Sequence, residues 1–370
     1  MTTMTSPIHT AVCDMLGIEH PIFAFSHSVD VVVAVCEAGG LGVYGATRRF
    51  PEEIEEALAE IRERVGDRPF GVDLVLPKGM PEQNNREDIE MQIPPGHRAF
   101  VDYLYEKYDV PRDNLPGSRS RFVRSDEIAR RQAEVVLDST VDLFAMGIGS
   151  PPEYVEAAKQ RGKRVLSLVG SPKHARRAVD AGAEILVAQG SDSAAHTGPI
   201  GTFSLVPQVV DIAGDVPVLA AGGVATGRHI AAAFALGAVG VWVGTPWLVT
   251  REGHSSPALL KKLLAAGSED TVITRARSGK TNRQLRTAYT EEWDAEGAPV
   301  PLKMPYHDIL VGDLLGAIER HEVEPLLGTG TGQGIAWFRE ETTVADVMED
   351  FVTGAGAALE RTRTAFGSPA

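Results

Sequence analysis

The sequence predicts an α/β protein built as a (β/α)8 TIM barrel, with a lid segment inserted after the third strand and a helical extension at the C-terminus. Two observations carry that prediction. Short apolar runs rich in β-forming residues recur along the chain, each followed by a segment of helical periodicity, as in a parallel sheet covered by helices. Eight such runs precede residue 250, which suits a closed barrel better than an open doubly wound sheet. The Rossmann alternative also lacks its fingerprint. No G-x-G-x-x-G follows the first run, and Gly39, Gly40, Gly42 and Gly45 of AGGLGVYGA lie between a helix and a strand.

PIFAF, from Pro21 to Phe25, is the first strand. In VDVVVAVCEAGG, Val31, Val35 and Ala38 share one helical face, and Gly39-Gly40 ends the helix where a left-handed backbone is needed. LGVYGA follows as the second strand. Pro51 opens PEEIEEALAEIRERVG, which has acids in its first turn, bases in its last, and Ile54, Leu58, Ile61 and Val65 along one side. The third strand runs around Val72 to Leu76.

From Lys78 to about Arg121 the alternation breaks, with Pro94-Pro95-Gly96 and a stretch, HRAFVDYLYEKYDV, that predicts one short amphipathic helix. This segment reads as a lid or cap over one end of the barrel. Alternation resumes with a helix near Ser125 to Leu137, strand VDLFAMG, a helix opened by Pro151-Pro152, and strand RVLSLV. A helix from Pro172 to Ala181, strand EILVAQG, a helical segment around Val206 to Ile212, strand VPVLAAGG, a helix from Thr226 to Leu236 and strand VGVWVGT complete the set. Beyond Gly244 come a helical region, the polar segment RARSGKTNRQLRTAYTEEW, the loop GTGTGQG and a closing helix from Val344 to about Leu359. The domain reading is therefore residues 1–77 and 121–250 as the barrel, 78–120 as the inserted lid, and 251–370 as an extension packed on the barrel.

The chain's 370 residues are 43% hydrophobic and 23% charged, a composition that excludes disorder as the main state. Its net charge of −14 repels phosphate backbones and anionic membrane surfaces, so neither nucleic acid nor membrane is expected as a partner. Cys13 and Cys36 supply no disulfide framework and no metal-finger spacing. With no cationic-then-apolar leader in MTTMTSPIHTAVCDMLG and no long apolar run, the expected location is cytoplasmic. No Ser-His-Asp order, H-E-x-x-H helix, Walker loop or Cys/His cluster appears, so hydrolase and metal readings lose support and no metal ligand is assigned.

In a barrel of this kind the chemistry lies just beyond the C-terminal ends of the strands. The seventh strand ends in Gly222-Gly223 and the eighth in Gly244-Thr245, each opening onto a helix whose N-terminal N–H groups suit a phosphate. Either pair alone would only mark a tight turn. Together they favour phosphate binding, and a barrel with few fixed acids or bases suits a cofactor that carries the reactive centre, such as flavin mononucleotide, FMN. The sixth strand runs into AQGSDSAAHTGPIG, which places Gln189, Asp192, Ser193 and His196 at the same face. An imidazole there, with an ordinary pKa of about 6.5, is a candidate general base. His27, just past the first strand, faces the same mouth. Asp73 is either an acceptor for a cofactor ring N–H or a satisfied interior carboxylate. Lys280, Arg283 and Arg286 could neutralise an anion, although a solvated basic face is the simpler reading.

These motifs stand in a recognisable order: VVVAVCEAGGLGVYGA, Phe70-Gly71-Val72-Asp73-Leu74, AQGSDSAAH, LVPQVVD, AAGGVA, Gly244-Thr245 and Gly332-Gln333-Gly334. From about Pro21 to Gly354 the chain resembles the nitronate monooxygenase family of FMN-dependent (β/α)8 enzymes. The resemblance implies that Gly222, Gly223, Gly244 and Thr245 hold the FMN phosphate and that Gln189 contacts the ring or ribityl chain. It also implies that Ala24 and Phe25 offer backbone to the ring, that Gln333 closes over it, and that Asp73, Ala194, Trp242 and Val243 complete the cofactor contacts. His27 and Ser193 would meet the substrate, and His196 would act as base or as partner to an anionic nitronate.

Three positions depart from the family pattern: Asp73 stands for Asn, Ala194-Ala195 for Gly-Gly, and Phe25-Ser26 for Pro-Met. The expected activity is FMN-dependent oxidation of a nitronate or a similar small acidic carbon substrate by O2. One alternative is an NAD(P)H-dependent flavin reductase acting on a quinone or enoyl thioester. Another is a cofactor-free phosphate-binding barrel, and a homodimer is compatible with each.

Overall fold

Eight parallel strands close into a barrel in the computed structural model, which describes residues 6–76 and 78–366. The first residues of the N-terminal stretch read for a leader, the domain boundary at residue 77 and the last residues of the extension lie outside the described residues. In chain order the strands are β1 (Ile22–Ser26), β2 (Leu41–Gly45), β3 (Gly71–Val75), β4 (Leu143–Gly147), β5 (Arg164–Val169), β6 (Ile185–Gln189), β7 (Ala195–His196), β8 (Val218–Ala221), β9 (Gly240–Val243), β10 (Thr271–Thr274) and β11 (Asn282–Leu285). The barrel runs β1-β2-β3-β4-β5-β6-β8-β9 and closes where Ala24 of β1 lies opposite Val243 of β9.

Strand alternation explains why each apolar run reads as continuous: both faces are buried. Phe23, Val43, Ala145, Leu166, Val187 and Leu219 fill the interior. Ile22, Ala24, Leu186, Ala188 and Val241 point the other way, into the helical layer. Helix Ala11–Leu16 packs Val12, Cys13 and Leu16 against the interior cluster.

The covering helices are Val29–Glu37, Pro51–Val65, Asp126–Asp138, Pro152–Gln160, Pro172–Asp180, Thr202–Ala213 and Gly227–Ala235. Two boundaries differ from the sequence reading. The helix expected from Val206 starts earlier, at Thr202, and carries Pro207 within it. The closing helix runs on from Val344 to Ala365. No helix among the described residues is long and apolar enough to cross a membrane.

The insertion holds two helices, Arg86–Met91 and Pro95–Lys107, where the sequence predicts one. Pro94-Pro95 does not break a helix; Pro95 occupies the first turn of the second, where its missing N–H is harmless. Neither helix stands free. Val101, Leu104 and Val110 share a core with Trp293, Leu314, Leu315 and Ile318 of the extension, and Ile89 and Ile93 pack with Ile309. Gly117 lets the two segments touch, because a Cβ there would lie 1.9 Å from the Gly312 carbonyl oxygen.

A second, three-stranded sheet in the order β10-β11-β7 links the extension to the loop after β6, with Asn282 opposite His196. The sequence reading missed this sheet. β7 has only two residues, and β11 is the polar run Asn-Arg-Gln-Leu with no apolar alternation to announce it.

Because Leu104 is fully buried in the core shared by insertion and extension, Leu104→Ala should lower the unfolding free energy by about 2–5 kcal/mol. Urea denaturation followed by tryptophan fluorescence measures this, and an unchanged midpoint would show that the insertion packs loosely.

Candidate active site

The C-terminal ends of the barrel strands open into a cavity of about 1190 Å³. A smaller polar cleft of about 380 Å³ lies at the opposite end, between Met15 and Lys163, where Asp142 is paired with Arg62 at 2.7 Å. The large cavity is the one that gathers the residues singled out from the sequence. Phe25, His27, Asp73, Gln189, Ser193, Ala194, His196, Gly222, Gly223, Trp242, Val243, Gly244 and Thr245 all line it.

Ala24 and Gln333 do not. Ala24 turns its side chain into the helical layer, so only its backbone is on offer. Gln333 anchors its loop through the backbone instead: its N–H donates to Asp192 O at 3.0 Å and its carbonyl accepts from Ser268 Oγ at 2.8 Å. The neighbouring Gly334 reaches the cavity.

After β8, Gly222 and Gly223 take positive φ values of 109° and 73°, which glycine adopts without strain. A Cβ on Gly222 would lie 2.6 Å from Thr202 Oγ1 and 3.0 Å from Ser193 N, so the turn also needs the space. The amides of Gly222, Gly223 and Thr245 donate to no protein acceptor among the described residues. Thr245 Oγ1 accepts from Gly332 N at 3.0 Å and draws the glycine-rich loop of the extension over this corner. Open amides beside two strand ends form a cradle for an anion.

Gln189 orders the loop that follows β6. Its Nε2 donates to His196 O at 2.8 Å and to Ser193 Oγ at 3.1 Å, while the Ser193 hydroxyl donates to Gly190 O at 2.8 Å. The Gln189 Oε1 is left as an acceptor toward the cavity. Within this loop Ala195 has φ 60°, a left-handed value.

His196 Nε2 lies 2.9 Å from Ser278 Oγ. That hydroxyl also meets the backbone of Lys280, 3.4 Å from its carbonyl oxygen and 3.4 Å from its N–H, so Ser278 holds the imidazole in place through Nε2. Burial, then the charges of Arg119 and Arg48, push the imidazole down to about 3, and it is neutral at ordinary pH. His27 donates Nδ1–H to Gly45 O at 2.7 Å and packs edge-on against Phe25, which stacks on Trp242. Its pKa is lowered by burial too.

Asp73 is 5% exposed, and its carboxyl makes no hydrogen bond among the described residues. Burial raises it to about 7, against the pull of Arg124. It is therefore a cavity-facing acid without a protein partner, and the reading of Asp73 as a satisfied interior carboxylate is corrected.

Of the three cations flagged from the sequence, Lys280 lines the cavity and Arg286 is exposed outside it. Arg283 is not part of a solvated face. It is buried, donating to Ser191 O at 2.8 Å and Thr271 Oγ1 at 2.9 Å, and so ties the small sheet to the loop after β6. The sequence reading missed Arg48, Arg119, Ser278 and Asp308. Arg48 alone had a signal, since it follows the second strand at the functional face of the barrel.

A family model described as nitronate monooxygenase matches residues 9–354. The chain belongs to that family. It is an oxidoreductase, and the family is one of flavoenzymes. A Mycobacterium tuberculosis protein named as a monooxygenase, Rv1533, is 40% identical over 94% of this chain and 98% of its own length. A nitroalkane oxidase of Streptomyces ansochromogenes superposes with a TM-score of 0.81 at 25% identity, covering 96% of this chain and all of that one. A further relative, the (3aS,4S,5R,7aS)-5-hydroxy-7a-methyl-1-oxo-octahydro-1H-indene-4-carboxyl-CoA dehydrogenase of Mycobacterium tuberculosis, is 28% identical over 78% of this chain and 69% of its own.

A carboxyl with a native pKa above its unfolded value stabilises the fold fully below the unfolded value. That contribution is lost as pH rises through the native one. For Asp73 the window runs from about 3.8 to about 7. Asp73→Asn should abolish the fall in stability across that window and leave the cofactor-free variant more stable by a few kcal/mol above it. Denaturation at pH 5 and pH 8 tests this; parallel losses in both proteins would show that Asp73 is not the group.

Proposed function

We propose that this protein is an FMN-dependent oxidoreductase that oxidises a nitronate, or a similar small substrate with an acidic carbon, at the expense of O2. The observation that carries this reading is the cradle of open amides at Gly222, Gly223 and Thr245, in one cavity with Gln189 and His196. The residues fit the cofactor. The cradle takes the phosphate, with Gly244 beside it. Gln189 Oε1 and the unpartnered Asp73 carboxyl offer acceptors to ring N–H groups, and Phe25, Trp242, Val243 and Ala194 supply the wall. The backbone of Ala24 and the loop of Gln333 would complete the enclosure. When bound, the flavin would take two electrons from the substrate and pass them to O2.

The chain's own part is to position the substrate and hold a proton. Neutral His196, held by Ser278 through Nε2, lines the cavity, and its imidazole would accept the proton from the acidic carbon of a neutral substrate. Its low basicity comes first from burial and then from the charges of Arg119 and Arg48. An anion placed beside Arg48 and Arg119 offsets those charges and raises the imidazole toward its ordinary range. His27 and Ser193 line the same cavity, where they would orient the substrate.

The alternative reading is an NAD(P)H-dependent flavin reductase, and the relative named as a carboxyl-CoA dehydrogenase bears only on its thioester substrate class. In that reading NAD(P)H would reduce the flavin, and an organic acceptor such as a quinone or enoyl thioester would reoxidise it.

The purified protein should be yellow with the spectrum of an oxidised flavin, and anaerobic nitronate should bleach it. Bleaching by NADPH or NADH but not by nitronate would select the second reading. His196→Asn should keep the flavin content but lower turnover roughly 10²-fold; unchanged turnover would remove His196 from the chemistry.

A further inference from the structure

Asp73 occupies the middle of β3, between Gly45 of β2 and Ala145 of β4. Its side chain is buried and faces the cavity, yet its carboxyl makes no hydrogen bond among the described residues. The neighbouring strand leaves it open on that side. Gly147 ends β4, and a Cβ there would already lie 3.7 Å from Asp73 Oδ2, so a longer side chain would cover the acid. Arg124, in the loop before helix Asp126–Asp138, is the charge that pulls on Asp73, but it spends its Nη2 on Val75 O. Arg48 and Arg119, which with Asp308 form a roof over the cavity, are not among the charges that act on it.

A buried carboxyl without a partner is tolerated because it can shed its charge. Asp73 therefore stands near the balance between acid and carboxylate at neutral pH, whereas His27 and His196 on the same cavity are pushed down by burial. A group so poised answers any change of charge beside it. A new negative charge raises its pKa, and an N–H donor lowers it. The chemistry proposed for this cavity is such a change, since two electrons arrive on a cofactor there and then leave.

We propose that Asp73 couples proton binding to the oxidation state of the cofactor, taking up one solvent proton as two electrons enter the bound flavin and releasing it as they leave. The proton forms an O–H bond on the carboxylate, and the electrons come from the substrate and pass to O2. The assignment rests on the proposed function for the presence of the flavin. By accepting the proton, Asp73 removes its own negative charge just as negative charge arrives, which stabilises the reduced state at acid and neutral pH. At alkaline pH the carboxylate persists and drives the electrons onward to the acceptor. An asparagine could offer a hydrogen bond at this position but not the coupling.

Spectroelectrochemical titration of the FMN-loaded wild type and of Asp73→Asn, from about pH 5 to about pH 9, tests this without turnover. The two midpoint potentials should converge at the acid end, where Asp73 is already protonated. As pH rises the variant's should move progressively above the wild type's. Across neutrality the wild-type curve should be steeper by up to about 30 mV per pH unit, the tenfold change that one extra proton per two electrons confers. Infrared difference spectra should show the C=O stretch of a protonated carboxyl appearing when the wild type is reduced at about pH 7.5, and no such band in the variant. Asp73→Ser repeats the comparison should the amide variant fail to load. A potential difference that stays constant with pH, or a carboxyl band that survives loss of Asp73, would overturn the coupling while leaving the flavin reading intact. A protein that takes up no FMN would overturn both.

Discussion

The Asp308 carboxylate is the contact on which the rest of the site depends. It receives hydrogen bonds from Arg48 beside the barrel and Arg119 in the insertion, while belonging itself to the extension. Three segments far apart in sequence therefore meet at one buried charge. Burial alone would raise this carboxyl, but Arg48 and then Arg119 hold it below the usual range, so it stays ionised. Such a cluster adds little net stability over an apolar core, yet losing one partner strands a buried charge at a cost of about 3–5 kcal/mol. The tie thus acts mainly to specify how insertion and extension seat over the mouth.

Its electrostatic consequences reach the chemistry. With two guanidiniums on one carboxylate, the roof keeps positive charge that the acidic remainder of the chain does not cancel at short range. The same field adds to burial in keeping His196 unprotonated. At the turn after β8, by contrast, the open amides of Gly222, Gly223 and Thr245 provide partial positive charge without a side-chain cation.

The barrel was legible in the sequence because its strands are buried on both faces and its helices on one, and both patterns survive in the order of residues. Gly222-Gly223, Gln189 and His196 were legible for a related reason: strand ends mark the functional face, and loop glycines there are conspicuous. The roof was not. Arg48 and Asp308 are 260 residues apart, and nothing local in either segment reports the other. Asp308 also lies in a helix whose His307, Ile309, Val311 and Gly312 are buried as well, so no polar face singled it out. The small sheet was hidden because β11 is a polar strand that is nonetheless buried, with Asn282, Arg283 and Gln284 all inside. Hydrophobic periodicity is silent about an element of that kind.

The departures from the family pattern acquire physical meaning in this frame. Ala195 occupies a left-handed backbone, as does Ile148 just after β4, and both line the cavity. Each non-glycine residue held there costs on the order of 1–2 kcal/mol, which the surrounding packing must offset. Glycine would relieve the strain at Ala195 and loosen the loop that Gln189 holds by three hydrogen bonds. Asp73 works in the opposite sense. Its carboxyl has no partner in the protein, so a ligand that donates an N–H to it favours the ionised form and lowers its pKa. By linkage, such a ligand binds more tightly as pH rises through about 7, where the free carboxyl loses its proton. An asparagine at this position could also accept that hydrogen bond but could not titrate. An acid at this position therefore lets the affinity for any such ligand respond to pH, which an amide could not do.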